Sequence, residues 1–109
     1  MTGEEAVVWK YLRQAVGKEK AITRNQLCQF TGLPDRLIRQ CVETLRKDHG
    51  KLICYLVVRP GGYFIAESVD DLRACRNIEA AREHHVRENR QFYDKALEAA
   101  GDEQLDLAI

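Results

Sequence analysis

The stretch "TRNQLCQFTGLPDRLIRQCVETLRKDHG", residues 23–50, constrains this chain more than any other. It holds two segments of helical periodicity with only Gly32, Leu33 and Pro34 to turn between them. Thr23 is a good N-cap, because its hydroxyl can accept from a free backbone N–H of the first turn. The helix "RNQLCQFT" that follows is expected to bury Leu27, Cys28 and Phe30. Gly32 supplies the left-handed conformation that a sharp stop needs. Pro34, with its fixed φ, is pre-set for the first turn of the next helix. There Leu37, Ile38, Cys41, Val42 and Leu45 recur at helical spacing, with Arg36, Arg39, Gln40, Glu43 and Lys47 on the opposite side. Gly50 closes this helix.

Around this core the remaining elements can be read in order. Residues 4–16, "EEAVVWKYLRQAV", form a first helix with Val8, Tyr11, Leu12 and Ala15 on one face and Val7 and Trp9 at its flanks. Glu4 and Glu5 suit its start and Gly17 its end. "KEK" is a turn and "AIT" a short extended piece. After Gly50 the period changes. "KLICYLVV" (51–58) and "YFIAE" (63–67) are apolar, β-rich runs joined by "RPGG", which reads as a β-hairpin. Ser68 then offers another N-cap, with Asp70 and Asp71 in the first turn. From there to Ala100 no Gly or Pro interrupts, so a fourth helix of about 30 residues, roughly 45 Å long, is expected.

That order, helix, helix, glycine turn, helix and hairpin, is the signature of a winged helix-turn-helix. The expected fold class is mostly α with a small β-hairpin wing and a long C-terminal helix. Three parts follow: residues 1–68 as the winged domain, 69–100 as the long helix, and 101–109 as a tail. The long helix has a thin apolar face of Leu72, Cys75, Ile78, Ala81 and Val86, then Phe92, Tyr93, Ala96 and Leu97. Its first turns can dock on the winged domain. Its distal half needs a cover for Phe92, Tyr93 and Leu97, and a second copy of the chain is the simplest one, giving a homodimer.

Charge and cysteine usage narrow the functional classes. The net charge is zero, yet residues 1–68 carry +4 and residues 69–109 carry −4. The front is mildly basic and the back acidic, as two separate jobs would require. The four cysteines, Cys28, Cys41, Cys54 and Cys75, contain no CxxC pair and read as buried free thiols. His84 and His85 beside Cys75 are rejected as a metal group, since adjacent helical residues diverge by about 100°. The start "MTGEEAVVWKYL" has acids where a signal peptide would be basic, and no apolar run approaches a membrane span. A cytoplasmic, nucleoid-associated location is expected. No GxxxxGK loop, HExxH helix or nucleophile motif is present, so neither catalysis nor a cofactor is expected.

A helix-turn-helix places its second helix in the major groove of double-stranded DNA. Arg36, Arg39 and Gln40 then face the bases, with Arg24, Asn25 and Thr44 beside them. Arg pairs with guanine through two hydrogen bonds, and Gln with adenine. Lys47 and Lys20 suit phosphate contacts, and Arg59 puts a cation on the wing loop. Tyr55 and Tyr63 brace the hairpin. Asp35 and Glu43 oppose DNA on the same face, and Arg39 can instead be a solvated charge paired with Glu43 four residues on. A winged helix that binds protein rather than DNA, as an adaptor or inhibitor, is the alternative reading.

Residues 4–68 resemble the winged-helix DNA-binding domains of bacterial regulators. The stretch from Ile22 to Gly50, followed by a hairpin ending "GGYFIAES" and a helix, is most similar to small phage and prophage winged-helix proteins. The resemblance implies a role in DNA replication or transcription regulation. Its longer, more apolar first wing strand, "LICYLVV", departs from the pattern. The end of the chain carries a second resemblance. "QLDLAI", Gln104 to Ile109, is similar to the hexapeptide by which bacterial replication and repair proteins bind the DNA polymerase sliding clamp. That resemblance implies Gln104 at the edge of a pocket, Leu107 and Ile109 inside it, and Leu105 in support. The alternative is that these apolar residues fold back onto the last helix or a dimer mate.

Overall fold

The computed structural model describes residues 1–100 of the chain. Its elements run α1 (Gly3–Leu12), a 3-10 turn (Lys18–Lys20), α2 (Arg24–Thr31), α3 (Asp35–Lys47), β1 (Ile53–Leu56), β2 (Gly62–Ile65) and α4 (Val69–Ala100). The chain is therefore mostly helical with a two-stranded antiparallel wing, in the order of a winged helix-turn-helix followed by a long helix.

Local chemistry sets the helix starts. Thr2 caps α1: its hydroxyl accepts from the Glu5 amide at 3.2 Å, while the Glu5 carboxylate accepts from the Thr2 amide at 2.6 Å. Thr23 and Gln26 repeat this reciprocal arrangement at α2, at 3.1 and 2.9 Å. Each box satisfies two of the backbone donors that a helix start leaves free. Gly32 ends α2 in the left-handed region (φ 72°), its amide bonded to the Cys28 carbonyl. Pro34 stands just outside α3 as its cap residue, with extended backbone, rather than inside the first turn.

The first helix stops at Leu12, four residues before the expected end at Val16. The cause is tertiary. Ala15 to Gly17 are taken up by β2, where the Ile65 amide donates to the Ala15 carbonyl at 2.7 Å and the Gly17 amide to the Ile65 carbonyl at 2.9 Å. Ile22, in the expected extended piece, exchanges two hydrogen bonds with Tyr63 at 2.9 and 2.8 Å. So β2 is paired on both edges, by β1 on one and by these short segments on the other. Backbone groups released from the helix find sheet partners instead.

The hairpin is shorter than the apolar run implies. Four residue pairs, Ile53 to Leu56 against Ile65 to Gly62, make up the ladder. Val57 and Val58 leave it and are 58% and 75% exposed. The turn closes when the Gly61 amide bonds the Val58 carbonyl at 2.8 Å, around a cis Arg59–Pro60 bond.

The core lies between α1, α2, α3 and β1: Val8, Leu12, Leu27, Ile38, Cys41, Val42, Leu45 and Ile53 are buried together, with Tyr63 and Ile65 packed against them. Phe30, expected inside, is half exposed. It lies on α1's Tyr11 as a stacked ring, centroids 5.5 Å apart, which leaves its other face to solvent. On the other side of the hairpin, Cys54 and Phe64 are buried, and the start of α4 meets β1. Here the contact is not made through Leu72, which is exposed, but through Asp71 and Cys75. The Asp71 carboxylate accepts from the Glu67 amide at 2.9 Å, and the Asp71 amide donates to the Ser68 hydroxyl at 3.4 Å. This cap turns Asp71 inward.

Met1–Cys75 forms one compact unit, and the chain from Arg76 onward forms a second. Among the described residues, no helix is long and apolar enough to cross a membrane.

Candidate nucleic-acid interface

One face of α3 is apolar and sunk in the core; the other presents polar side chains. Arg36, Arg39, Gln40, Glu43 and Lys47 are all exposed, and their spacing puts them in one stripe along the helix. Thr44, at its edge, is half-buried. Arg24 and Asn25 are exposed at the start of α2, and Lys20 is exposed on the 3-10 turn. Arg59 stands exposed at the wing tip, between Val58 and Pro60. All of these residues except Thr44 therefore stand clear of the core.

Their ion pairs differ from the expected ones. Arg39 does not reach Glu43; it pairs with Asp35 at 3.0 Å, one turn back. Arg24 of α2 joins the same carboxylate at 3.6 Å. Glu43 goes to Lys47 instead, at 2.5 Å, and that lysine holds its carboxyl below the usual carboxylate range. The two acids on the face are thus each held by cations. Among the described residues, Arg36 and Arg59 make no ion pair. Asp35 as a bridge between two helices was not legible in the sequence, because Arg24 lies eleven positions away and only the turn at Gly32 brings it round.

Arg46 is a further residue that the sequence did not single out. Its Nε donates to the Ile53 carbonyl at 3.0 Å, and its guanidinium lies 5.7 Å from the Tyr55 ring centre. Arg46 therefore ties α3 to β1 and fixes the angle between α3 and the wing. Tyr63 is half-buried and its hydroxyl pKa is raised by burial, in keeping with the bracing role expected of it.

A second cluster joins the two ends of the core. Glu5 is 8% exposed, and its carboxylate lies 3.8 Å from Nε2 of His49, just past α3. The Thr2 backbone bond is the largest cause that pulls its pKa below the ordinary 4.5, with the Thr2 hydroxyl and His49 adding to it. A lowered folded pKa means that the charged form stabilises the fold above the ordinary value, and that this is lost as pH falls through the folded one. Glu5→Gln should therefore lower the thermal midpoint most above pH 4.5. The gap to the parent chain should close as pH drops below that; a gap independent of pH between 3 and 7 would contradict it.

In the second unit, Phe92, Tyr93 and Leu97 are each about two-thirds exposed, and the first two rings meet edge to face at 5.3 Å. Ion pairs run along the helix, Glu83 with Arg87 at 3.1 Å and Arg90 with Asp94 at 3.9 Å, and Nε2 of His84 lies 2.8 Å from the Glu88 carboxylate. At 100° per residue, Glu83, Arg87, Arg90 and Asp94 fall on the side opposite Phe92, which shares its own side with Ile78, Asn89 and Ala96. Among the described residues, no group of His, Cys, Asp and Glu is arranged to hold a metal ion. Gln104, Leu105, Leu107 and Ile109 lie outside the described residues.

No family model and no curated protein matches the chain. Among solved structures it is similar to a mutant of S. aureus MepR, at 16% identity and a TM-score of 0.46, over 91% of this chain and 77% of that one. That likeness assigns no family. The fold stands on the elements described above.

Proposed function

We propose that this chain is a DNA-binding winged-helix protein, of phage or bacterial origin, that acts in DNA replication or transcription regulation. The observation that carries the reading is the exposed stripe of α3, Arg36, Arg39, Gln40 and Lys47, on a helix whose other face is buried. Such a stripe has the length and donor chemistry to enter a major groove. Arg24, Asn25 and Thr44 flank it, Lys20 suits a phosphate, and Arg59 on the wing suits the minor groove or backbone. Residues 1–68 serve as the DNA module and residues 69–100 as a helix that pairs with a second copy through Phe92, Tyr93 and Leu97. The exposure of these three side chains, each about two-thirds in solvent, supports the homodimer, since a second copy would cover them.

Residues 101–109 serve as a tether in this reading, and the "QLDLAI" resemblance points it at a bacterial sliding clamp. A short peptide recognised through its side chains needs a few concentrated apolar anchors, which Leu105, Leu107 and Ile109 supply with Gln104. A clamp-binding tail favours replication over transcription.

A second reading draws on the ion pairs. Asp35 and Glu43 engage Arg24, Arg39 and Lys47, so much of the positive charge is answered within the face. That favours a protein-binding adaptor or inhibitor. A mobility shift on mixed-sequence duplex DNA over a salt series separates the two. DNA binding predicts a shift that weakens steeply with salt, and no shift at low salt rejects it. For the tail, the full chain and a chain lacking residues 104–109 are compared for binding to a purified clamp. Equal binding rejects the clamp assignment, and a loss of dimerisation on deletion points to fold-back.

A further inference from the structure

We propose that Cys54 and Cys75 are a modification site: a thiol pair that a peroxide closes into a reversible disulfide between the wing and the start of α4. The placement of the two side chains is reciprocal. The Cys54 sulfur lies 3.8 Å from the Asp71 carbonyl, the carbonyl to which a helix bonds the amide four residues on, that of Cys75. The Cys75 sulfur lies 3.9 Å from the Tyr55 carbonyl, next in chain to Cys54. Each thiol thus points to the backbone beside the other. Both belong to the Met1–Cys75 unit. The bond would close a loop holding the end of β1, the wing turn with Arg59, and all of β2.

The two thiols differ in a way that orders the steps. Cys54 is 1% exposed, and its pKa is pushed up to about 12, chiefly by burial and next by the Cys75 thiol. Cys75 is half-buried and is the more exposed residue of the two. The thiolate is the nucleophile in such chemistry. The Cys75 thiolate attacks one peroxide oxygen; the O–O bond breaks, and the leaving hydroxide takes up a proton as water. The product is a sulfenic acid on Cys75. The Cys54 sulfur then attacks the Cys75 sulfur; the S–O bond breaks, and its oxygen leaves as a second water with the proton from Cys54. Two thiols lose two electrons in total, and one peroxide becomes two waters. Cys28 and Cys41 lie on α2 and α3, and Cys41 is buried in the core with its pKa raised by that burial.

The test treats the full chain with hydrogen peroxide, blocks remaining thiols, and maps tryptic peptides without reductant. Trypsin cuts after Lys51, Arg73 and Arg76 but not at Arg59, which precedes proline. The expected product joins peptide 52–73 to peptide 74–76, two mass units lighter than the reduced pair, and dithiothreitol separates them. Cys28 and Cys41 stay alkylatable. The thermal midpoint of the oxidised chain should rise by several degrees, since a cross-link restricts the unfolded chain. With Cys54→Ser the same treatment should leave a dimedone-reactive sulfenic acid on Cys75. Cys54 still alkylatable after peroxide, or Cys75 joined to Cys75 of a second copy, overturns the proposal. The outcome with the unaltered chain decides even if the variant folds poorly.

Discussion

Gly62→Ala is expected to lower the unfolding free energy by about 3 kcal/mol or more, from backbone strain and a backbone clash together. Gly62 has φ 129°, a region that side chains with a Cβ rarely enter. A Cβ there would stand 2.7 Å from the Ile22 carbonyl oxygen and 3.0 Å from its carbon. Both are backbone atoms held by the two hydrogen bonds between Ile22 and Tyr63, so neither can swing aside as a side chain would. Relief requires β2 to move off the Ile22 segment, which breaks the pairing that ties the wing to the helical core. Gly61 is the internal control. Its φ of 76° is also left-handed, but an added Cβ meets only the Leu56 carbonyl oxygen at 3.5 Å. Gly61→Ala should cost about 1 kcal/mol, the price of left-handed backbone alone. Urea unfolding of the two variants checks this, and equal losses would show that the Ile22 contact is not what Gly62 serves.

That contact also marks where the sequence stops being informative. The helix-turn-helix was legible because its signals are local. Thr23 caps the amide of Gln26 three residues on, Gly32 turns the chain, and the α3 periodicity needs no partner to be recognised. The end of α1 was not legible, because Arg13 to Val16 are sound helical residues. They leave the helix only because Ile65, some fifty residues later, offers Ala15 and Gly17 better-placed partners. The length of β1 failed for a related reason: Val57 and Val58 have strand propensity, but the partner strand ends at Gly62 and leaves them nothing to pair with. Phe30 has the spacing of a core residue and falls at the core's edge, where Tyr11 covers one face of its ring. The candidate reading face was legible as a set of exposed residues, since an amphipathic helix sorts its own sides. Its electrostatics were not. Arg39 has acids at both helical distances, Asp35 four before and Glu43 four after. Arg39 takes Asp35 even though Arg24 reaches that carboxylate from α2, while Lys47 occupies Glu43. The Cys54 and Cys75 juxtaposition likewise needs the hairpin register and the docked first turns of α4.

Arg36→Ala, Arg39→Ala and Arg59→Ala combined should lower duplex affinity by about 100- to 1,000-fold at physiological salt, if each side chain releases about one counterion on binding. The slope of log affinity against log salt should become less negative by about 3. The fold should survive, because all three side chains are exposed, so an unchanged thermal midpoint should accompany the loss. Arg39 carries a complication that sharpens the test. Removing it leaves Asp35 with Arg24 alone, so the face loses a cation and gains a less fully answered anion. Asp35→Asn should then act in the opposite direction: it frees Arg24 and Arg39 together and should raise affinity on the order of tenfold at low salt. The Asp35 carboxylate is about half exposed, so its loss costs little stability. A reading face predicts both signs from the same stripe. An adaptor whose winged helix meets only protein predicts neither, and a duplex affinity that stays flat across both variants would leave that second reading standing.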